Sequence, residues 1–119
     1  MLQEMEKGKT YDIVGVVTGG KYLAELVAKV GDRDMVSINP HTRDVRGEIV
    51  NNNVCYFDDI FTKGGTVIKC NELLSRLYPH IEDEKAVGIV NRCEGAASNL
   101  SNKGIELRTI LTVKDLLLL

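Results

Sequence analysis

Strand-length apolar runs recur along this chain, and stretches with helical periodicity separate them. Residues 13–17 (Ile-Val-Gly-Val-Val), Met35–Ile38, 54–57 (Val-Cys-Tyr-Phe) and 86–90 (Ala-Val-Gly-Ile-Val) are continuous rather than alternating. Such runs suit strands buried on both faces, as in a mainly parallel sheet covered by helices. Between them, residues 21–30 place Leu23, Leu26, Val27 and Val30 on one helical face, and Gly31 ends the run. Residues 66–77 do the same with Val67, Cys70, Leu73, Leu74 and Leu77, and Pro79 stops them. A three-layer α/β fold follows, a mainly parallel sheet flanked by helices.

The rest of the chain fits this frame. Residues 48–50 are expected as a short return strand and 51–53 (Asn-Asn-Asn) as a turn. Residues 96–103 read as a short helix with Gly104 just past its end. Ile105, Leu107 and Thr109 alternate with Glu106 and Arg108, as on an edge strand, and 112–119 form a last helical turn or two. At 119 residues the chain suits one domain spanning 1–119.

Composition excludes several classes. A net charge of −2 gives no electrostatic reason to expect nucleic acid or an anionic membrane as partner. No apolar run approaches the roughly 18 residues of a membrane span, and Met1 to Lys9 lack the apolar core of a signal peptide. Cys55, Cys70 and Cys93 lack Cys-x-x-Cys spacing and are expected as reduced, mostly buried thiols in a cytoplasmic protein. His41 and His80 have no spacing that suits a metal.

In a sheet of this kind, ligands sit beyond the carboxyl ends of the strands. The richest loop there follows the run at 54–57. Asp58 and Asp59 close an apolar strand, where burial without partners would cost several kcal/mol. Pointing in different directions, they can grip neighbouring sugar hydroxyls, each charge-assisted hydrogen bond contributing roughly 1.5–3 kcal/mol. Thr62, Lys63, Gly64, Gly65 and Thr66 then open a helix. Glycines let backbone N–H groups turn inward, and a helix N-terminus favours an anion. Acids followed closely by an anion cradle match a ribose 5-phosphate. The nicotinamide fingerprint has the opposite order, and no Walker A pattern occurs. Taken singly, either acid could be only a capping residue, and Gly64-Gly65 only a tight turn.

This segment resembles the phosphoribosyl-pyrophosphate-binding motif of the type I phosphoribosyltransferases: apolar strand, two acids, then Thr-x-Gly-x-Thr. Other parts are most similar to the orotate phosphoribosyltransferase branch. Residues 15–24 (Gly-Val-Val-Thr-Gly-Gly-Lys-Tyr-Leu-Ala) resemble its pyrophosphate loop and following helix, 90–97 its Asp-Arg-x-x-Gly stretch, and 104–117 its C-terminal end.

The resemblance implies a reaction: a nitrogen nucleophile displaces magnesium pyrophosphate from C1 of the ribose through an oxocarbenium-like transition state. It implies that Asp58 and Asp59 hold the ribose hydroxyls and that Thr62, Lys63, Gly64, Gly65 and Thr66 hold the 5-phosphate. Thr18, Gly19, Gly20 and Lys21 would approach the pyrophosphate, and Arg92 would contact a base such as orotate. Mg2+ would sit mainly on substrate oxygens, with no direct protein ligand assigned. A homodimer is implied too.

The sequence also departs from the family pattern. Only about ten residues precede the first strand, in place of the hood that covers the base. Residues 40–47 stand where the family has a long basic mobile loop. Their His41, Arg43 and Arg46 could stand in for its cations, or form a solvated charged loop. Lys63 replaces a threonine, and Asn91 an acid. Lys21 could equally face solvent, and Arg92 could pair with Glu94. A phosphoribosyltransferase, a non-catalytic phosphoribosyl pyrophosphate or nucleotide sensor, and an accessory subunit completed by another chain all remain open.

Overall fold

The computed structural model describes residues 10–118. Met1 to Lys9, and with them the reading of the N-terminus, lie outside the described residues, as does Leu119. In chain order the elements are β1 Tyr11–Val16, α1 Gly19–Val30, β2 Met35–Ile38, β3 Val45–Arg46, β4 Asn53–Phe57, β5 Ile60–Phe61, α2 Gly65–Leu77, β6 Asp83–Asn91, α3 Ala96–Ser101, β7 Ile105–Thr112 and α4 Val113–Leu117.

They build one seven-stranded sheet. β1 lies between β2 and β4, β6 follows β4, and β7 pairs with β6 at the edge. The short β5 continues beyond β4 onto the end of β6. Every pairing is parallel except β2 with β3. The expected mainly parallel, three-layer arrangement is therefore present.

The continuous apolar runs are explained by burial on both sheet faces. From β1 and β4, Tyr11, Ile13, Cys55 and Phe57 pack with Ala24, Val27 and Ala28 of α1. Their neighbours Val14, Val16, Val54 and Tyr56 pack with Val67, Cys70 and Leu74 of α2 and Leu100 of α3. Successive side chains of a strand point to opposite faces, so a strand with helices on both sides must be apolar throughout.

Several local expectations are corrected. α1 does not bury Leu26 and Val30, which are 60% and 75% exposed; it buries Gly20, Ala24, Val27 and Ala28. The contact is marked by small residues, because the helix sits close enough to β1 that a Cβ on Gly15 would fall 2.9 Å from that of Ala24. α2 buries Asn71 and leaves Leu77 exposed. The Asn71 amide donates to both oxygens of Glu84, at 2.9 and 2.8 Å, and Glu84 also accepts the Tyr56 hydroxyl at 2.8 Å. This buried polar group is thus fully partnered.

The return strand is Val45–Arg46, not 48–50. The backbone N–H groups of Val50 and Asn51 donate instead to the buried carboxylate of Asp12, at 3.0 and 2.8 Å, so no strand partner can use them. β7 is an edge strand as expected. α4 starts at Val113 because Thr112 and Asp115 form a reciprocal capping box. Cys55 and Cys70 are buried, Cys93 is exposed, and none of them forms a disulfide among the described residues. Among the described residues no helix is long and apolar enough to cross a membrane.

Candidate functional site

β1 and β4 run side by side, with Gly15 level with Phe57. The loops that leave their carboxyl ends therefore emerge together. Contact between them is close. Gly20 lies directly on the Phe57 carbonyl oxygen, so a Cβ there would overlap it, and one on Gly19 would come within 2.6 Å of the Asp59 carboxyl carbon. Two motifs distant in sequence, Thr18 to Lys21 and Asp58 to Thr66, thus share one wall. The Val17–Thr18 peptide within it is cis.

Asp58 is 9% exposed. Its carboxylate accepts the Asp59 N–H at 2.9 Å and the Thr66 hydroxyl at 3.0 Å. Burial pushes its pKa up to about 6, with Asp59 beside it raising it further and the Thr66 hydroxyl opposing the rise. Asp59 is more open, and its carboxylate accepts the N–H of Ile60 at 2.8 Å. The two acids therefore differ: one is drawn into the loop and ties it to the first turn of α2, the other borders the glycine loop.

The glycine-rich segment becomes the N-terminus of α2. Gly64 caps it with φ 80°, a left-handed conformation that favours glycine. The N–H groups of the first helical turn have no intrahelical acceptor. The loop's carbonyls are occupied from behind: Thr62 O accepts the Ala96 N–H at 3.1 Å, and Lys63 O accepts the Asn99 side-chain amide at 2.8 Å. Thr62, Lys63, Gly65 and Thr66 are exposed, and a Cβ added at Gly65 would meet nothing within 4 Å. The result is an open cradle of backbone N–H groups with the loop's acceptors tied back, a geometry that suits an anion.

Arg92 follows β6 beside this cradle, its N–H bonded to Phe61 O at 2.9 Å. Its guanidinium pairs with Glu94 at 3.1 Å, and both side chains are about half exposed. The ion pair is thus present, and at that exposure it holds the arginine only weakly. Lys21 is exposed in the first turn of α1, 3.9 Å from Glu25.

The segment from Pro40 to Gly47 is a tight hairpin, not an open loop. The Asn39 side chain accepts the N–H groups of His41 and Thr42 at 2.9 and 3.2 Å, and Arg43 N–H bonds to Asn39 O at 2.8 Å. The hairpin separates its two arginines. Arg46, paired with Asp44 at 3.1 Å, lines a cavity of about 250 Å³ that also contains Lys21 and Ser37. Arg43 lines a different cavity, against α2.

Three asparagines that organise this region were not among the residues singled out from sequence. Asn99 ties back the cradle, Asn39 shapes the hairpin, and Asn71 anchors α2 to β6. Asn71 has a sequence signal, since it stands beside the apolar stripe of a helix. Asn99 has none, because its partner is 36 residues away.

No family model matches the chain. Its sequence is 30% identical over 121 residues to orotate phosphoribosyltransferase of Sulfolobus acidocaldarius, covering 96% of this chain and 60% of that protein. Against the Methanococcus maripaludis orotate phosphoribosyltransferase it is 27% identical, covering 93% of this chain and 63% of that protein. The crystal structure of orotate phosphoribosyltransferase from Aeropyrum pernix matches with a TM-score of 0.80 at 28% identity, over 91% of this chain and 62% of that one. The Mycobacterium tuberculosis enzyme in complex with 5-phospho-alpha-D-ribosyl 1-diphosphate shares the fold, with a TM-score of 0.71 at 20% identity, over 97% of this chain and 70% of that one. The chain therefore spans about three fifths of the length of the first relatives it matches.

Proposed function

We propose that this chain, which has the type I phosphoribosyltransferase fold and is similar in sequence to orotate phosphoribosyltransferases, binds phosphoribosyl pyrophosphate and transfers its ribose 5-phosphate to a nucleobase of the orotate type, releasing pyrophosphate. The observation that carries this reading is the shared wall, where the glycine loop rests on Asp59 and Phe57 while the helix cradle opens beside it.

In this reading the first-turn N–H groups of α2 and the Thr62 and Thr66 hydroxyls take the 5-phosphate. Asp58 and Asp59 face the ribose, Asp59 the freer of the two. The positive charge that develops at the anomeric carbon during departure is countered by these carboxylates. Lys21 and Arg46, which line one cavity, take the leaving diphosphate. Arg43 is given no step, since it faces the other cavity. Arg92 would exchange Glu94 for a carboxylate of the base, a contact suited to its planar fork.

The donors around the site are oxygens, carboxylates and hydroxyls, which suits a hard cation. Magnesium would be held mainly on substrate oxygens, with no direct protein ligand assigned, and would supply charge neutralisation to the leaving diphosphate. A homodimer is part of the same proposal, checked by sedimentation, and three cysteines outside any disulfide suit the cytoplasm.

A second reading has one observation in its favour. The 40–47 hairpin is short, and its Arg46 is already paired with Asp44. A site of that kind binds its ligand as a sensor, or as a subunit that another chain completes.

Incubation with magnesium, phosphoribosyl pyrophosphate and orotate, followed by orotate absorbance, separates the two. Loss of orotate is expected for the transferase; no loss with micromolar calorimetric binding of phosphoribosyl pyrophosphate leaves the sensor. Asp58→Asn with Asp59→Asn is expected to weaken that binding by about 3 kcal/mol or more, from two charge-assisted hydrogen bonds. Unchanged binding in the double variant overturns the ribose assignment.

A further inference from the structure

A second basic concavity lies along α2, away from the cradle. It encloses about 380 Å³ between the hairpin, which supplies Pro40, His41 and Arg43, and the helix, which supplies Lys69, Glu72 and Arg76. The helical positions fall at i, i+3 and i+7, one exposed face of α2 opposite its buried stripe of Val67, Cys70 and Leu74. Leu73, partly buried against the core, forms an apolar floor.

Charge makes this face unusual on a chain of net charge −2. Arg43, Lys69 and Arg76 bring three basic side chains, and Glu72 is the lone acid of the lining. Among the described residues no ion pair neutralises any of these cations. Arg43 is also held with φ 64°, in the left-handed region that a non-glycine residue seldom adopts. Cations gathered on concave walls repel one another and raise the local anion concentration, and arginines match phosphate oxygens bidentately. A volume in this range accepts a group of nucleotide size.

We propose that this concavity is a second anion site, distinct from the cradle, which binds a diphosphate group through Arg43, Lys69 and Arg76. The group could come free or attached to a nucleoside. Inorganic pyrophosphate carries the charge alone; a nucleoside diphosphate adds a base that can lie on Leu73 and Pro40. The site stands on its own lining and does not depend on the reaction proposed for the cradle.

The test is an amide NMR titration of the full chain, run once with inorganic pyrophosphate and once with uridine diphosphate. Saturable shifts are expected at His41, Arg43, Lys69 and Arg76, separate from those at Lys21 and Arg46 and at Lys63 to Thr66. Lys69→Glu with Arg76→Glu is expected to weaken the first set about tenfold or more, a change of 1.4 kcal/mol, and to leave the cradle set in place. Lys69→Gln with Arg76→Gln moves the same way by less, and serves if the charge reversal does not fold. Tighter uridine diphosphate binding identifies a nucleotide ligand, and equal or weaker binding a free diphosphate. Shifts that never saturate, or that survive both double variants, overturn the proposal.

Discussion

Two polar turns border the proposed site, and they are built differently. The loop from Asp58 to Thr66 is held by the rest of the fold. Asp58 N–H bonds to Val87 O at 3.1 Å, Ile89 and Val90 N–H both reach Asp59 O at 3.0 and 3.1 Å, and Arg92 and Ala96 N–H take Phe61 O and Thr62 O at 2.9 and 3.1 Å. Partners come from β6, the residue just past it, and α3. The turn from Asn39 to Asp44 is held by itself: Asn39 N–H to Asp44 O, Arg43 N–H to Asn39 O, and two more N–H groups to the Asn39 side chain. One turn inherits its geometry from the sheet, whereas the other depends on a single asparagine. The half of the site that would hold the sugar phosphate is therefore over-determined, and the half that would meet the leaving group is local.

The largest expected effect tests that over-determination at the shared wall. Gly20→Ala gains helix propensity of up to about 1 kcal/mol. Its new Cβ, however, would overlap the Phe57 carbonyl oxygen, a backbone atom of a central strand. Overpacking against backbone is expected to dominate, with a net loss of about 1–3 kcal/mol in urea unfolding. Gly65→Ala is the control, since nothing lies within 4 Å of its Cβ, and it should change stability by less than about 1 kcal/mol. Equal unfolding midpoints for the two variants would break the comparison, because the wall would then have room to give.

The next effect opposes stability to binding at one residue. Asp58 is raised from 3.8 to about 6 by its burial first, and then by Asp59. A carboxyl group with a raised folded-state pKa binds more protons in the folded state than unfolded. Its contribution to stability is full below the unfolded value of about 4 and is lost as pH rises through about 6. Binding to ribose hydroxyls needs the carboxylate and should run the other way, falling as pH drops through about 6. Asp58→Asn should flatten the pH dependence of unfolding between these values, raise stability at pH 7, and weaken phosphoribosyl pyrophosphate binding. Unfolding midpoints and calorimetry across that range check both arms. A variant less stable than the parent at pH 7 would show that its hydrogen bonds to Thr66 and Asp59 outweigh the burial.

The legible part of this molecule follows the same division. The β4 run with its two acids and the glycines that open α2 carried the fold and the cradle together, because burial on both faces and a helix N-terminus leave local signatures. The contact face of α1 is half legible: Leu23 and Val27 pack on the core as expected, but apolar periodicity weights large side chains while close packing on β1 selects Gly20, Ala24 and Ala28 in place of Leu26 and Val30. Asp12 was not legible at all. Its carboxylate holds residues 38 and 39 positions away and replaces the strand expected at 48–50. Arg43 and Arg46 stood together as candidates in sequence, and only the hairpin register, Ser37 with Arg46 and Ile38 with Val45, sends them to different cavities.

The smallest effect sharpens the other side of the comparison. Asn39→Ala removes the acceptor for the His41 and Thr42 N–H groups while leaving β2 in register. These groups are exposed, so water can replace the lost acceptor, and the loss should stay near 1 kcal/mol. It should also stay local. Amide exchange at His41, Thr42 and Arg43 should quicken, while exchange at Ile89, Val90 and Ala96, whose N–H groups pin the cradle loop, stays unchanged. Because Arg46 hangs from the same hairpin, pyrophosphate affinity at the Lys21 cavity should fall by a factor of a few, and the 5-phosphate cradle should keep its own. If exchange at Ile89 and Val90 quickens as well, the hairpin and the cradle are one cooperative unit, and the leaving-group side shares the rigidity of the sugar side.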